Sequence, residues 1–195
     1  MKETIEVIIE YFKSLIQTNN PLLGLSVAIL VVVIESIIPI LPLAVFIAVN
    51  MLVFGNILGF IISYIGTIMG CILSFTIFRK GFSKWLYKRI KSKDNLKDLM
   101  KQISNIKFTT LVLITALPFT PAFSVNIASG LSKIRYRKFI AAMAVSKVSI
   151  IYFWGFVGTT FLESITDIKV LIELGLILLG AYILSIYVNK KFKIE

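Results

Sequence analysis

The chain contains no histidine, which removes the commonest metal ligand and the usual acid or base near neutral pH. Its single cysteine rules out an intrachain disulfide and a multi-cysteine metal site. Cys71 sits among Gly70, Ile72 and Leu73 in an apolar run and reads as packing. There is no His-Glu-x-x-His helix, no Gly-x-Ser-x-Gly elbow, no Walker loop and no intramembrane aspartate pair. These absences predict a protein that is not an enzyme and that takes no metal, ATP or organic cofactor. Acidic residues are also scarce, 10 against 21 Lys and Arg, for a net charge of +11. Basic clusters beside apolar spans report orientation and attraction to anionic lipid, so membrane lipids are the expected partners and nucleic acid is not.

What the chain has in abundance is apolar sequence. With 57% hydrophobic and 16% charged residues over 195 positions, it lies outside the soluble norm. Apolar runs at 22–54, 56–78, 139–161 and 170–188 approach or exceed the roughly 20 residues that cross a bilayer. A fifth, at 108–131, is interrupted by Pro118 and Pro121. The expected class is an all-α integral membrane protein, one membrane domain over 1–195 with no soluble part. Met1-Lys2-Glu3-Thr4-Ile5-Glu6 lacks the basic start of a cleavable signal, so the N-terminus is expected to be retained.

Two proline pairs, Pro39-Ile-Leu-Pro42 and Pro118-Phe-Thr-Pro121, stand 79 positions apart inside apolar runs. Two prolines three residues apart end a helix, because each lacks a donor and clashes with the preceding turn. Broken backbone at membrane depth survives only against protein or a water-filled cavity, and a repeated break points to a central transport site. The arms 22–38 and 43–54 are too short for two straight crossings, which favours a re-entrant hairpin over 22–54; a full span at 22–38 is the alternative.

Residues 1–20 show helical apolar spacing at Ile5, Ile8, Ile9, Phe12, Leu15 and Ile16 and read as an interfacial amphipathic helix. A transmembrane helix follows at 56–78, with Gly66 and Gly70 at the spacing that lets helices approach closely. Segment 79–107 is a basic amphipathic linker, 108–132 the second hairpin, and 139–161 and 170–188 are spans. Shifting by 79 residues superimposes the prolines and lays 3–18 over 82–97, so the unit repeats. A single intervening span makes the repeat inverted, with two hairpins and three or four transmembrane helices. The charge map puts 79–107, 132–138 and 189–195 in the cytoplasm, hence a multi-pass protein of the cell membrane with a cytoplasmic C-terminus.

Glu35 and Lys147 are the acidic and basic residues inside the apolar cores, and a charge there costs at least about 2.5–3.5 kcal/mol on insertion scales. At about 1.5 Å per residue, Glu35 lies roughly 20 Å below Leu22 and Lys147 roughly 12 Å above Phe139. In a core about 30 Å thick these heights nearly coincide, so an ion pair or shared proton site fits. Alternatively, Glu35 is protonated or capped locally and Lys147 snorkels. Thr115, Thr120, Ser124, Asn126, Ser129 and Gly130 line the second break; the Asn126 amide suits a lipid phosphate or locks the turn. Arg79, Lys80, Arg135, Arg137 and Lys138 are interfacial cations able to gather headgroups or set orientation.

Leu117-Pro118-Phe119-Thr120-Pro121, then Asn126, Gly130 and Lys133-Ile134-Arg135-Tyr136-Arg137-Lys138-Phe139, resembles the second signature of the DedA superfamily, also called the SNARE-associated Golgi protein or VTT-domain family. The first half agrees, with Glu35 before Pro39 and Pro42, then Gly66, Gly70 and Arg79-Lys80-Gly81. The resemblance covers about residues 20–160 and implies two inverted re-entrant hairpins that move phospholipids or polyprenyl phosphates between leaflets. It assigns Glu35 to the acidic position of the first hairpin and Pro118, Pro121, Asn126 and Gly130 to the second. Thr115 stands where many members carry arginine, and Leu43 and Ala44 follow Pro42 where bacterial members carry glycine and an acid. The pattern is nearer the branch related to Golgi and bacterial inner-membrane members.

The expected function is translocation or scrambling of a phosphate-bearing lipid through the hairpins, in a chain that can form a homo-oligomer. The expected site comprises Glu35, Pro39, Pro42, Thr115, Pro118, Pro121, Asn126, Gly130 and Lys147, with Arg79, Arg135 and Arg137 attracting headgroups. The alternative is a non-transporting organiser whose basic face binds lipid or partner proteins.

Overall fold

A computed structural model describes residues 10, 14, 21–37, 43–81, 94–120, 122–163 and 167–192. Pro39, Pro42 and Pro121, nearly all of the helix expected at 1–20, and the linker over 82–93 lie outside the described residues. Every regular element among the described residues is helical: α1 Pro21–Ile37, α2 Leu43–Phe54, α3 Asn56–Thr76, α4 Asp94–Asn105, α5 Phe108–Ala116, α6 Ala122–Leu131, α7 Tyr136–Glu163 and α8 Ile168–Phe192. A π-turn at Ile77–Gly81 extends α3. Among the described residues, three stretches are long and apolar enough to cross a membrane: Asn56–Lys80, Tyr136–Phe161 and Ile168–Lys190.

The helix ends follow from the sequence. α1 stops at Ile37, two residues before Pro39, and α2 begins at Leu43 after Pro42. At the second break Leu117 takes the extended conformation, φ −80 and ψ 134, that steric conflict with Pro118 imposes on a preceding residue. Between α2 and α3 the chain reverses at Gly55, whose φ of 80 and ψ of 163 belong to a region essentially reserved for glycine.

Helix α3 is the axis of the bundle. A side chain on Gly66 would strike Val32, and one on Gly70 would strike Ser36, so α1 lies against α3 and both advance in the same direction. Further along α3, Asn126 touches Cys71, and Gly130 rests against the Phe75 carbonyl and Phe78, so α6 also runs parallel to α3. α1 thus covers the first part of α3 and ends level with Gly70, where α6 begins. The two helix–break–helix pairs approach α3 from opposite ends and meet near Gly70 and Cys71.

Helix α7 closes the bundle antiparallel to α3. Phe75 stacks on Phe139 at 4.4 Å, while Tyr64, farther back on α3, donates to the Ala144 carbonyl at 2.9 Å. Gly155 and Gly158 of α7 admit Ile47, Met51, Ala44 and Ala48 of α2 at close range, the small-residue packing used where the surrounding lipid is as apolar as the side chains. The largest apolar cluster joins α3, α4, α5, α6 and α7 through Cys71, Phe75, Ile103, Leu111, Val125 and Phe139. Cys71 is buried there, in keeping with its reading as packing. α8 lies at the periphery and is mostly exposed.

Candidate functional site

The break-to-break junction gathers the membrane-depth charges. Glu35 occupies the last turn of α1 and is half-buried. Lys147 comes from α7 and is only 2% exposed. It stands two helical turns beyond Phe139, level with the middle of α3, and its charge acts through space on Glu35. The heights therefore coincide as the residue count anticipates. Direct pairing is absent, however: among the described residues, neither side chain makes a hydrogen bond or an ion pair within 4 Å.

Asn126 lies in the second turn of α6 and is buried. Its Nδ2 donates to Cys71 Sγ at 3.5 Å, a weak acceptor, and its Oδ1 has no partner among the described residues. One turn farther along the same two helices, Ser74 Oγ and Ser129 Oγ are buried and likewise unpartnered. Low dielectric makes such groups costly, so a seam holding three of them is the polar weak point of the bundle.

Thr115 is buried and turned inward on its own helix, donating to the Leu111 carbonyl at 2.7 Å; it closes a backbone group and offers nothing to a ligand in this state. Pro118 is half-buried at the break itself. Thr120, just before Pro121, donates to Asn189 Oδ1 of α8 at 3.3 Å. Beside it Phe119 meets Trp154 and Tyr182 edge-on, and Leu117 packs with Ile114 and Val188. The described residues of the second break, Leu117, Phe119 and Thr120, are thus covered by α8.

Arg79, expected to attract headgroups, is engaged at the end of α6. Its Nε donates to the Gly130 carbonyl at 2.8 Å, and Nη2 donates to the Ser129, Ser132 and Ile134 carbonyls at 2.9, 2.9 and 3.0 Å. The guanidinium also stacks over Phe75 at 4.5 Å. A cation on the final carbonyls of α6 satisfies groups that the helix cannot pair itself and opposes the negative end of its dipole. Gly130 sits at this latch because a side chain there would strike the Phe75 carbonyl. Arg135 and Arg137 remain exposed, while Lys138 turns back to cap the Ile106 carbonyl.

Several of these contacts were not foreseen from sequence. Asn50 of α2 is fully buried and donates to Ser63 Oγ at 3.0 Å, and a lone amide in an apolar helix was the available signal. The capping by Arg79 had no local signal, since its acceptors lie 50 to 55 residues away. Away from the junction, Met51, Ile57, Phe60, Ile61, Tyr152 and Phe156 line an apolar groove of about 430 Å³ between α2, α3 and α7. Asn56 and Thr159 are its polar lining residues, and no charged residue lines it. Among the described residues no group of three or more Cys, Asp or Glu could hold a metal ion.

A family model described as the VTT domain matches residues 38–160, from the first break to the last turn of α7. The "Uncharacterized membrane protein YhjE" of Bacillus subtilis (strain 168) is 34% identical over 135 residues, covering 69% of this chain and 65% of that protein. The "Uncharacterized protein YqeD" of the same organism is 29% identical over 167 residues, 85% of this chain and 77% of that protein. No solved structure matches. The match spans more than half of the chain and includes both breaks' second arms, the latch and Lys147, and on that ground the chain belongs to the VTT-domain family, the DedA superfamily of membrane proteins.

Proposed function

We propose that this protein carries a phosphate-bearing lipid between the leaflets of the cell membrane, with the headgroup passing the junction of the two hairpins and the acyl chains remaining in the bilayer. The observation that carries this reading is the meeting of α1 and α6 beside Gly70 and Cys71, with Glu35 and Lys147 at the same level. Discontinuous helices that end in the middle of a membrane bundle leave backbone donors and acceptors for a passing polar group. Asn126, Ser74 and Ser129 supply further hydrogen-bonding capacity on the same seam. Arg135, Arg137 and the C-terminal lysines recruit anionic lipid from the cytoplasmic face. The pathway takes no cofactor and serves a monomer or a homo-oligomer alike.

The test is reconstitution of the purified chain in liposomes with fluorescent lipids of several headgroups. Movement across the bilayer faster than in empty vesicles is expected for at least one phosphate-bearing lipid. Rates equal to empty vesicles for every headgroup would sink the proposal. Glu35→Gln should slow the movement by about tenfold or more, on the scale of one lost charge-assisted contact. Unchanged cellular activity of Glu35→Gln, together with loss of activity on neutralising the basic residues over 84–101, would instead favour the organiser.

A further inference from the structure

The groove between α2, α3 and α7 has a lining graded along the membrane normal. Asn56 and Thr159 stand at its mouth, where the α3 span begins and the α7 span ends, so both mark the same membrane face. Below them the lining is aliphatic and aromatic, down to Ile61 and Tyr152. At about 1.5 Å per residue the groove descends roughly 8 Å along α3 and roughly 10 Å along α7. In a core about 30 Å thick it therefore stays within one leaflet. Its floor is fixed by packing: Gly59 admits the Met51 backbone and Gly155 its side chain, so Met51 is wedged between α3 and α7. Phe60 packs on the same apolar cluster and lies parallel to Tyr64 at 6.3 Å, and Tyr64 is tied to the Ala144 carbonyl. The walls are open, with Ile57 80% and Tyr152 71% exposed.

We propose that this groove seats one acyl chain of a membrane lipid, with the Asn56 amide donating to the ester carbonyl at the head of that chain. Both α3 and α7 are spans, so what surrounds the groove is hydrocarbon. An apolar cleft with a polar mouth at its interfacial end is complementary to an amphiphile lying along the same axis. Thr159 is already committed, its hydroxyl donating to the Gly155 carbonyl at 2.8 Å, whereas the Asn56 side chain has no partner among the described residues. Asn56 is thus the donor available at the depth where ester carbonyls lie. No charged residue lines the groove, so it reads the chain and its linkage and not the charge of the headgroup. Eight residues line it, fewer than the roughly 20–30 a side that a stable subunit interface uses, which favours a lipid over a second copy of the chain. The site lies apart from the junction of the two breaks and holds a lipid whether or not one crosses there.

The experiment places the full chain in vesicles containing a phospholipid with a diazirine in the upper half of one ester-linked chain, and maps the photoproducts by mass spectrometry. The open face of α8 is the internal control, since Ile172, Leu176 and Ile183 are also exposed on a span. Labelling over 57–61 and 152–156 should exceed that on α8 by about fivefold or more, the scale of one hydrogen bond. Ile61→Trp, which fills the groove, should bring it down to the α8 level. Tyr152→Ala, which removes a wall at an exposed position, should do the same if the tryptophan form does not fold. Asn56→Ala should lower labelling by the ester probe about fivefold and leave an ether-linked probe unchanged. Labelling no higher in the groove than on α8, or groove labelling that neither Ile61→Trp nor Tyr152→Ala reduces, overturns the proposal. So does labelling by a diazirine fatty acid without labelling by the phospholipid, or capture of a second copy of the chain by a photoreactive group placed at Ile57. An Asn56→Ala protein labelled like wild type removes the ester contact. Transport in liposomes is scored separately: wild type that is labelled but does not transport defeats the lipid-carrier reading alone, and transport without groove labelling defeats this proposal alone.

Discussion

The two helix–break–helix pairs lean on the same helix by different physics. The first meets α3 through glycines, with Gly66 and Gly70 letting Val32 and Ser36 approach the α3 backbone and Gly59 admitting the Asn50–Met51 backbone. Its polar anchor is one neutral bond, Asn50 to Ser63. The second is fixed at its base by a charged latch, Arg79 on four carbonyls, with Phe75 stacked between Arg79 and Phe139. Dispersion between smooth small-residue surfaces is strong but directionless, whereas charge-assisted hydrogen bonds fix one register. The pair that carries Glu35 is therefore held to α3 by close packing, while the pair that carries Asn126 is held by directed bonds. The seam behind the latch is also where Asn126 Oδ1, Ser74 Oγ and Ser129 Oγ have no partner among the described residues, so a fixed base of α6 coexists with unused polar groups along its length.

The sharpest way to break this contrast is Arg79→Ala, which strands several carbonyls at the end of α6. A loss of about 3 kcal/mol is expected, since one buried acceptor left without its charged donor costs about 1–3 kcal/mol. Reversible unfolding in mixed micelles would report it, and Lys at this position should recover only part, because its point charge lacks the fork. Next come Gly70→Ala and Gly130→Ala. Each places a methyl where Ser36 or the Phe75 carbonyl now lies, at an overpacking cost of about 1–3 kcal/mol. Because the obstacle at Gly130 is a backbone carbonyl and that at Gly70 a side chain, Gly130→Ala is the more damaging of the two in the same assay; equal losses would erase the distinction. Asn50→Ala should cost about 1 kcal/mol and leave Arg79-dependent stability untouched. Smallest is Thr120→Val, about 0.6 kcal/mol by the scale of interhelical bonds in membranes, read as increased protease access to the α8 terminus with the rest of the bundle intact.

Much of the fold was legible because the bilayer leaves few options. Pro118 forced Leu117 out of helix, and the prolines at 39 and 42 bracket the gap between α1 and α2. The spans at 56–78, 139–161 and 170–188 fall within helices that, with the π-turn after α3 counted, extend two to four residues past one or both ends, since hydropathy marks the apolar core and misses polar turns such as Tyr136-Arg137-Lys138. At the site, matched helix lengths sufficed to bring Glu35 and Lys147 level. The same arithmetic gives depth without azimuth, and so it could not tell a contact from a gap. The carbonyl contacts of Arg79 escaped the sequence for a related reason: a cation next to a span looks identical in sequence whether it faces lipid or the end of another helix.

Sequence by itself determined that the chain is a helical membrane protein, where its helices break, and at what depth its charges lie, because proline sterics and hydrophobic length act within a single segment. The tertiary structure decided that the breaks meet beside Gly70 and Cys71, that Arg79 closes α6, and that Lys147 is buried without a partner among the described residues. Those facts depend on which faces of distant helices touch, and the energies that select them, close packing and hydrogen bonds across 50 or more residues, leave no local trace in the order of amino acids.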